Sequence, residues 1–99
     1  MYKNMLPIGS VVRTVGAERR LMIIGRILTS EKKDVIYDYV GTPYPEGVSS
    51  TDNYYFFNRD QIEQIYFIGF QDQEALEFQH EILDNIGELT IGENGIEEK

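Results

Sequence analysis

The 99-residue chain contains no cysteine, no tryptophan and a single histidine. Without cysteine there is no disulfide framework, no thiolate nucleophile and no cysteine-based zinc site. Glu77 and Asp84 stand at helical spacing from His80, but one histidine with surface carboxylates is a weak ligand set. We therefore predict no metal and no cofactor, and we interpret His80 as a surface residue.

Long apolar runs are also missing. No stretch approaches the roughly 18 apolar residues that a membrane-spanning helix requires. The first seven residues lack the apolar centre of a signal peptide. A cytoplasmic location is the expectation that follows.

Basic residues are scarce: nine Lys and Arg stand against 17 Asp and Glu, a net charge of −8. The balance is +5 over residues 1–33, −5 over 34–70 and −8 over 71–99. Phosphate binding needs a basic surface, so this balance argues against nucleic acid as a partner. The acidic C-terminal third is either a solvated helix face with a soluble tail or a docking surface that steers a basic partner.

What the chain does contain is a series of short apolar segments bounded by turn formers. These predict five strands, at residues 10–15, 20–29, 34–40, 54–57 and 64–69. Gly25 interrupts the second strand and predicts a bulge, a bend or a close approach of another backbone there. The bend is favoured, because a small sheet must curl to enclose a core. Asn58 with Gln61 three residues later predicts a capped helical turn before the fifth strand.

A helix is predicted after Asp72, which suits an N-cap, and Gly87 is expected to end it. Its apolar stripe consists of Ala75, Phe78, Ile82 and Ile86, widened by Leu76 and Leu83. We predict one domain over residues 1–88 and a flexible acidic tail over 89–99. Alternation of Leu89 and Ile91 leaves a short added strand as the alternative for the tail.

The predicted fold class is α+β. The first expectation is a strongly bent antiparallel sheet of about five strands, like an SH3-like small barrel, with one C-terminal helix across an open end. An open five-stranded sheet packed on that helix is the alternative. Nucleophile, base and metal ligands never converge in the sequence, so the prediction is a protein without enzymatic activity.

Partner binding is predicted at three places. Residues 41–53 form the longest irregular stretch, where function is first sought, and they include Tyr44, Pro45 and Glu46. An exposed edge of the sheet is the second place. The acidic face of the helix is the third, through Glu77, Glu81 and Asp84. The candidate partner-binding residues are thus Tyr44, Pro45, Glu46, Glu77, Glu81 and Asp84.

Two further interpretations concern single side chains and the aromatic set. Asp38 lies among aromatic strand residues, and Arg26 near the matching end of the preceding strand is its expected ion-pair partner. Most of the twelve Tyr and Phe are expected to fill the core and stabilise cross-strand pairs. Stacking of single-stranded nucleic acid on them is opposed by the acidic balance.

With these residues in view, the chain resembles a family of small uncharacterised proteins from Gram-positive bacteria. The matching stretches are 6–12 (LPIGSVV), 21–26 (LMIIGR), 37–41 (YDYVG), 44–47 (YPEG) and 56–62 (FFNRDQI). Members are often encoded beside type VII secretion components and LXG-type toxins. The resemblance implies a small accessory protein of that pathway, and it carries over no catalytic residue.

The expected function is therefore a non-enzymatic protein-binding module, such as a targeting factor or chaperone for a type VII secreted toxin. The alternative is an immunity protein that binds and blocks a toxin domain, with an acidic surface that mimics an anionic substrate. Neither the sequence nor the resemblance predicts an oligomeric state.

Overall fold

The computed structural model describes residues 5–29, 35–50, 53–83, 89–92 and 95–98. The strands of the main sheet are β1 (Val11–Thr14), β2 (Leu21–Thr29), β3 (Ile36–Pro43), β4 (Tyr55–Phe57) and β5 (Ile62–Phe67). Helix α1 (Gln73–Phe78) follows, and strands β6 (Leu89–Gly92) and β7 (Gly95–Glu98) form a separate hairpin. A 3₁₀ turn, Arg59–Gln61, connects β4 to β5.

The main sheet has the order β4-β3-β2-β1-β5, and every neighbouring pair is antiparallel. The predicted α+β class with five antiparallel strands and a C-terminal helix is thus confirmed. The sheet does not close into a barrel, because the described strands β4 and β5 are not hydrogen-bonded to each other. The open sheet, the alternative prediction, is the one observed, and it leaves β4 and β5 as edges.

The core cluster lies on one face of this sheet, while Val11 and Val40, which face the other way, are also buried. The cluster is formed by apolar and aromatic side chains from all five strands and from the segment before β1: Leu6, Val12, Leu21, Ile23, Tyr39, Phe57 and Ile62. Tyr39 is fully buried, its ring centroid lies 5.4 Å from that of Phe57, and its hydroxyl accepts a hydrogen bond of 2.8 Å from the Leu6 N–H. Burial raises the pKa of the Tyr39 phenol above its ordinary value.

Strand β3 is longer than predicted and β5 begins earlier. β3 continues to Pro43 because Gly41 pairs with Ile23 and Pro43 pairs with Leu21 of β2. The irregular stretch therefore begins at Tyr44 rather than at Gly41. The prediction missed this because glycine and proline are poor strand formers, and pairing with a long neighbouring strand overrides that preference.

The irregularity predicted at Gly25 is a β-bulge rather than the favoured bend. The register of β2 on β3 shifts between Ile23 and Gly25. A Cβ at Gly25 would lie 2.8 Å from Val40 Cγ1, so only glycine fits where the two strands come close.

The capped turn before β5 is also present, since Asn58 and Gln61 form a capping box.

The prediction that Asp38 pairs with Arg26 is wrong. Asp38 Oδ2 lies 3.4 Å from Arg59 Nε and accepts a hydrogen bond of 2.9 Å from the Arg59 N–H. The Asp38 N–H in turn donates to Asn58 Oδ1 at 2.9 Å. The capped turn therefore presents Arg59 to Asp38, and Arg26 has other contacts.

Helix α1 begins at its predicted cap: Asp72 Oδ1 accepts a hydrogen bond from the Ala75 N–H at 2.9 Å. A π-helical turn, Gln79–Leu83, extends the helix, and the predicted end at Gly87 lies outside the described residues. Two residues of the predicted apolar stripe, Leu76 and Phe78, remain 52% and 45% exposed, and Ile86 lies outside the described residues.

Arg26 of β2 contacts the helical segment from the sheet. Its guanidinium lies 5.7 Å from the Phe78 ring centroid and donates to Gln79 Oε1 and to the Leu6 carbonyl at 3.4 Å each. Burial lowers the pKa of this guanidinium.

The C-terminal residues include regular structure. β6 pairs with β7 in register from Leu89↔Glu98 to Gly92↔Gly95. The strand alternative for Leu89 and Ile91 therefore describes these residues, while the division into a domain over 1–88 and a flexible tail stays a prediction. Across the parts of the chain that the structure describes, no helix has the length and apolar character to span a membrane.

Candidate functional site

A pocket of about 320 Å³ opens between strand β4 and the connection from β1 to β2. It is lined by residues from β1, the connection, the start of β2, the end of β3, β4 and the 3₁₀ turn: Thr14, Val15, Ala17, Glu18, Arg19, Leu21, Pro43, Tyr55, Phe56, Phe57 and Gln61. We refer to this site as the β4 pocket. Its volume falls at the lower end of the range of about 300–1,000 Å³ that is usual for ligand sites.

The wall formed by the β1–β2 connection is held by hydrogen bonds. The Val15 N–H donates to the Gln61 carbonyl at 2.8 Å, and the Ala17 N–H donates to the Thr14 carbonyl at 3.1 Å. Gly16 makes the tight turn between them, with a φ of +80° that other residues rarely adopt. Arg13 donates to the Ala17 carbonyl at 3.2 Å from within the sheet. The connection is therefore an ordered wall.

The floor of the pocket belongs to the core. Leu21 and Phe57 are 6% and 3% exposed, and both are members of the core cluster. Above them Val15 and Tyr55 are 67% and 47% exposed. Burying such apolar surface under a ligand stabilises a complex by roughly 25 cal/mol per Å². The pocket is thus suited to hold an apolar group, with its shape fixed by the same side chains that hold the fold.

Charged side chains stand at the rim. Arg19 forms an ion pair with Glu46, and both are more than half exposed. Glu18 is also exposed and has no hydrogen-bond or ion-pair partner among the described residues. The rim therefore carries the Arg19–Glu46 ion pair, in which the charges cancel, and the uncompensated negative charge of Glu18.

The predicted contact residues Tyr44, Pro45 and Glu46 lie beside this rim. They form a turn that contains the cis Tyr44–Pro45 bond and is closed by the Gly47 N–H donating to the Pro43 carbonyl at 2.8 Å. The Tyr44 N–H donates to the Arg20 carbonyl at 3.0 Å, which fixes the turn to the β1–β2 connection. Only Glu46 reaches the pocket, through Arg19.

Tyr44 itself stacks on a cation. The Arg20 guanidinium carbon lies 5.2 Å from the Tyr44 ring centroid and 5.8 Å from that of Tyr66 in β5. Such cation–π contacts stabilise by about 0.5–1 kcal/mol at exposed sites. Tyr44 is therefore partly exposed, and it stabilises the β1–β2 connection beside the pocket through Arg20.

The predicted residues on the helix lie elsewhere. Glu77 and Glu81 are exposed, and Glu77 accepts a hydrogen bond from Gln73 Nε2 at 3.0 Å. The helix contacts β2 at Arg26, five residues from Leu21, which is roughly 16 Å along a strand. The turn at Tyr44–Glu46 and the acidic helix face are thus separate surfaces. Asp84 lies outside the described residues.

The edge strands that flank the sheet differ in regularity. β4 pairs with β3 without a register shift, from Tyr39↔Phe57 to Gly41↔Tyr55. β5 pairs with β1 with two shifts, which leave Glu63 and Tyr66 as extra residues.

Both of these extra residues bind Arg13. Arg13 Nε donates to Tyr66 Oη at 3.3 Å, and its terminal nitrogens lie 3.3 Å from the Glu63 carboxylate. These contacts, the Tyr66 hydrogen bond first, raise the pKa of the Arg13 guanidinium. The bulges of β5 are therefore occupied by contacts within the protein.

Most of the pocket was not predicted from the sequence, which placed residues 16–19 between two predicted strands and most aromatic residues in the core. A signal was present: Val15 and Ala17 place apolar side chains on both sides of Gly16 in an otherwise polar turn. The pocket forms where Thr14 and Gln61, which are distant in sequence, line the same cavity, and no local pattern predicts that proximity.

His80 is exposed, in agreement with the sequence interpretation. Within residues 5–83 and the two C-terminal strands, as far as they are described, no group of three or more His, Asp or Glu lies close enough to hold a metal ion. The chemistry that the β4 pocket offers is the binding of an apolar group beside an exposed strand edge.

Fold and site together define a small α+β domain with an apolar pocket at one edge of an open sheet. A family model described as "Domain of unknown function (DUF4176)" matches residues 5–78, and the chain belongs to this family. No curated protein and no solved structure matches the chain.

Proposed function

We propose that the protein is a non-enzymatic protein-binding accessory module whose recognition site is the β4 pocket. The observation that carries the proposal is the position of an apolar pocket beside the unpaired edge of β4. Exposed apolar surface of this kind marks interaction sites in soluble proteins. The charged residues of its lining, Glu18 and Arg19, stand at the rim rather than converging on one point inside.

The biological setting comes from the family resemblance. Related proteins encoded beside type VII secretion components and LXG-type toxins suggest a cytoplasmic targeting factor or chaperone for such a toxin. A chaperone of this kind holds a segment of its client before export, and a pocket with a preformed floor suits that task.

The second candidate is an immunity protein that blocks a toxin domain. It is favoured by the acidic face of the helix, where Glu74, Glu77 and Glu81 are exposed and no Lys or Arg occurs between Gln73 and Leu83. An anionic surface can occupy a toxin site that binds phosphate or nucleic acid.

Co-expression separates these candidates. The full chain is produced with the N-terminal LXG region, or with the isolated toxic C-terminal domain, of an LXG-type toxin. Size-exclusion chromatography with light scattering then measures complex formation. A defined complex with the N-terminal region supports targeting, one with the toxic domain supports immunity, and no complex with either contradicts both.

Two matched variants assign the binding surface. Ala17→Trp fills the β4 pocket, whereas Ala75→Trp adds the same side chain on the helix. The proposal predicts that only Ala17→Trp weakens the complex. If only Ala75→Trp weakens binding, the interface lies on the helix instead.

A further inference from the structure

We infer that the β4 pocket recognises an extended segment of the partner, which adds a strand to β4 and places one large apolar side chain in the pocket and a Lys or Arg beside Glu18. This inference rests on the proposed protein-binding function and specifies the chemistry of the partner. It follows from the strand edge, the geometry of the pocket and the charge at its rim.

The first step is the choice of edge. Proteins protect exposed edges with bulges and charged residues that disrupt the row of backbone groups. β5 has two register shifts and uses Glu63 and Tyr66 to bind Arg13. β4 is short, at three residues, but it has neither a register shift nor a charged side chain, so of the two described edges of the main sheet it is the more open to strand addition.

The second step is the geometry of the pocket. Tyr55 and Phe57 are two residues apart in β4, so their side chains share one face of the sheet, and both line the pocket. A strand added to β4 lies about 4.8 Å away, with alternate side chains on that same face. One of those side chains then stands over the pocket. Backbone hydrogen bonds supply affinity and the pocket supplies specificity, as in other cases of strand addition.

The third step is size. A volume of about 320 Å³ with a floor made by Leu21 and Phe57 accommodates a side chain of the Phe, Tyr, Trp or Leu type. It is too small for a folded element of a partner, since a helix with its side chains is about 10–12 Å across. A single anchoring residue in an extended chain fits both the pocket and the edge.

The fourth step is charge. Arg19 is neutralised by Glu46, which leaves the Glu18 carboxylate as the open charge of the lining. The whole chain carries −8, so a cationic segment is also favoured at longer range. A Lys or Arg next to the apolar anchor satisfies both conditions.

The test begins with a phage-displayed library of random 12-residue peptides panned on the full-length protein. We expect enriched peptides to share a large apolar residue with a Lys or Arg within two positions of it. A synthetic, fluorescently labelled copy of the most enriched peptide is then titrated, and fluorescence anisotropy gives its Kd.

Two pairs of variants test the pocket and the charge. Ala17→Trp and Glu18→Lys should each raise the Kd at least fivefold, whereas Ala75→Trp and Glu74→Lys on the helix should change it less than twofold. Circular dichroism confirms that each variant is folded. Glu18→Lys changes an exposed side chain, so it keeps the test decisive if Ala17→Trp does not fold.

Backbone N-methylation of the peptide tests strand addition directly. Methyl groups at positions whose N–H groups face β4 should weaken binding at least tenfold, while methyl groups at the alternate positions should have little effect. Equal tolerance at all positions would contradict strand addition. Enriched peptides that are insensitive to both pocket variants, or no enrichment at all, would overturn the inference.

Other occupants give different results. A second copy would appear as a concentration-dependent dimer that Ala17→Trp dissociates, and this outcome also overturns the inference. Competition between the peptide and the toxin separates the inference from the proposed function. If neither excess peptide nor Ala17→Trp weakens the toxin complex, the proposed function stands and the β4 pocket is not its binding site. Peptide binding with the expected variants, but no toxin complex, supports the site and refutes the toxin as partner.

Discussion

The pocket end and the helix end of the sheet are held in different ways. At the pocket end, backbone hydrogen bonds fix the β1–β2 connection, and the floor residues Leu21 and Phe57 belong to the core. At the helix end, Arg26 contacts the Phe78 ring of α1 and donates one hydrogen bond of 3.4 Å to Gln79 of the following π-helical turn, while Phe78 remains 45% exposed. A binding site built from core residues is preorganised, and preorganisation lowers the entropic cost of binding.

The largest expected effect separates the two ends by a matched pair of phenylalanines. Phe57→Ala should lower the free energy of unfolding by about 3–5 kcal/mol, because it opens a cavity in the core. Phe78→Ala should lower it by less than about 1 kcal/mol, because its side chain is nearly half exposed. Urea denaturation measures both. Similar losses for the two variants would show that the helix end is held as firmly as the pocket end.

Next in size is Tyr39→Phe, which leaves the Leu6 N–H without its acceptor inside the core. The expected loss of unfolding free energy is about 1–3 kcal/mol. Tyr54→Phe, at a 40% exposed site, is the control and should be close to neutral.

Tyr39 also gives the stability a pH dependence with a definite sign. Burial raises the pKa of its phenol above 10.0, so the folded state favours the neutral form. Its contribution is therefore complete below pH 10 and is lost as the pH rises through the raised pKa. Denaturation midpoints measured from pH 8 upwards should fall more steeply in the wild type than in Tyr39→Phe. Parallel curves would contradict this assignment.

A smaller effect is expected for Arg26→Leu at the helix end. The substitution removes a cation–π contact and weak hydrogen bonds, and it also removes the unfavourable burial of a charge, so the net loss should be about 1 kcal/mol or less. Hydrogen exchange should accelerate at the amides of α1 and not at Val15 or Ala17. Arg20→Leu, which acts beside the pocket, is the matched control that leaves α1 unchanged.

The smallest effect is expected at the pocket rim. Glu46→Gln breaks an exposed ion pair with Arg19, and such pairs contribute about 0–1 kcal/mol. Stability should therefore be nearly unchanged. A loss above about 1 kcal/mol would mean that the Tyr44–Gly47 turn is a structural part of the pocket end rather than a flanking element.

The correctly predicted features are local ones. The Asp72 cap and the capping box of Asn58 and Gln61 each depend on residues close together in sequence. Gly25, a poor strand former, likewise indicated that β2 is irregular there. Alternation of apolar residues similarly located the strands, with errors of one to three residues at their ends. Those errors occur where pairing with a neighbour extends a strand beyond its own preferences, as at Gly41 to Pro43.

The candidate site was predicted only in part for the same physical reason. The irregular turn pointed to Tyr44, Pro45 and Glu46, and the structure brings Glu46 to the rim through Arg19. The acidic residues of the helix are recognisable from sequence as exposed, but their separation from the pocket depends on where α1 contacts β2.

The amino-acid sequence alone was sufficient to predict the α+β class, the number of strands in the main sheet, the turns and the helix cap, because short-range hydrogen bonds and periodicity specify them. The open sheet, the pairing of Asp38 with Arg59 and the pocket between Val15 and Tyr55 could be established only from the folded structure. Each of these depends on the packing of residues about 20 or more positions apart, where several arrangements satisfy the same local pattern and the balance of burial selects one.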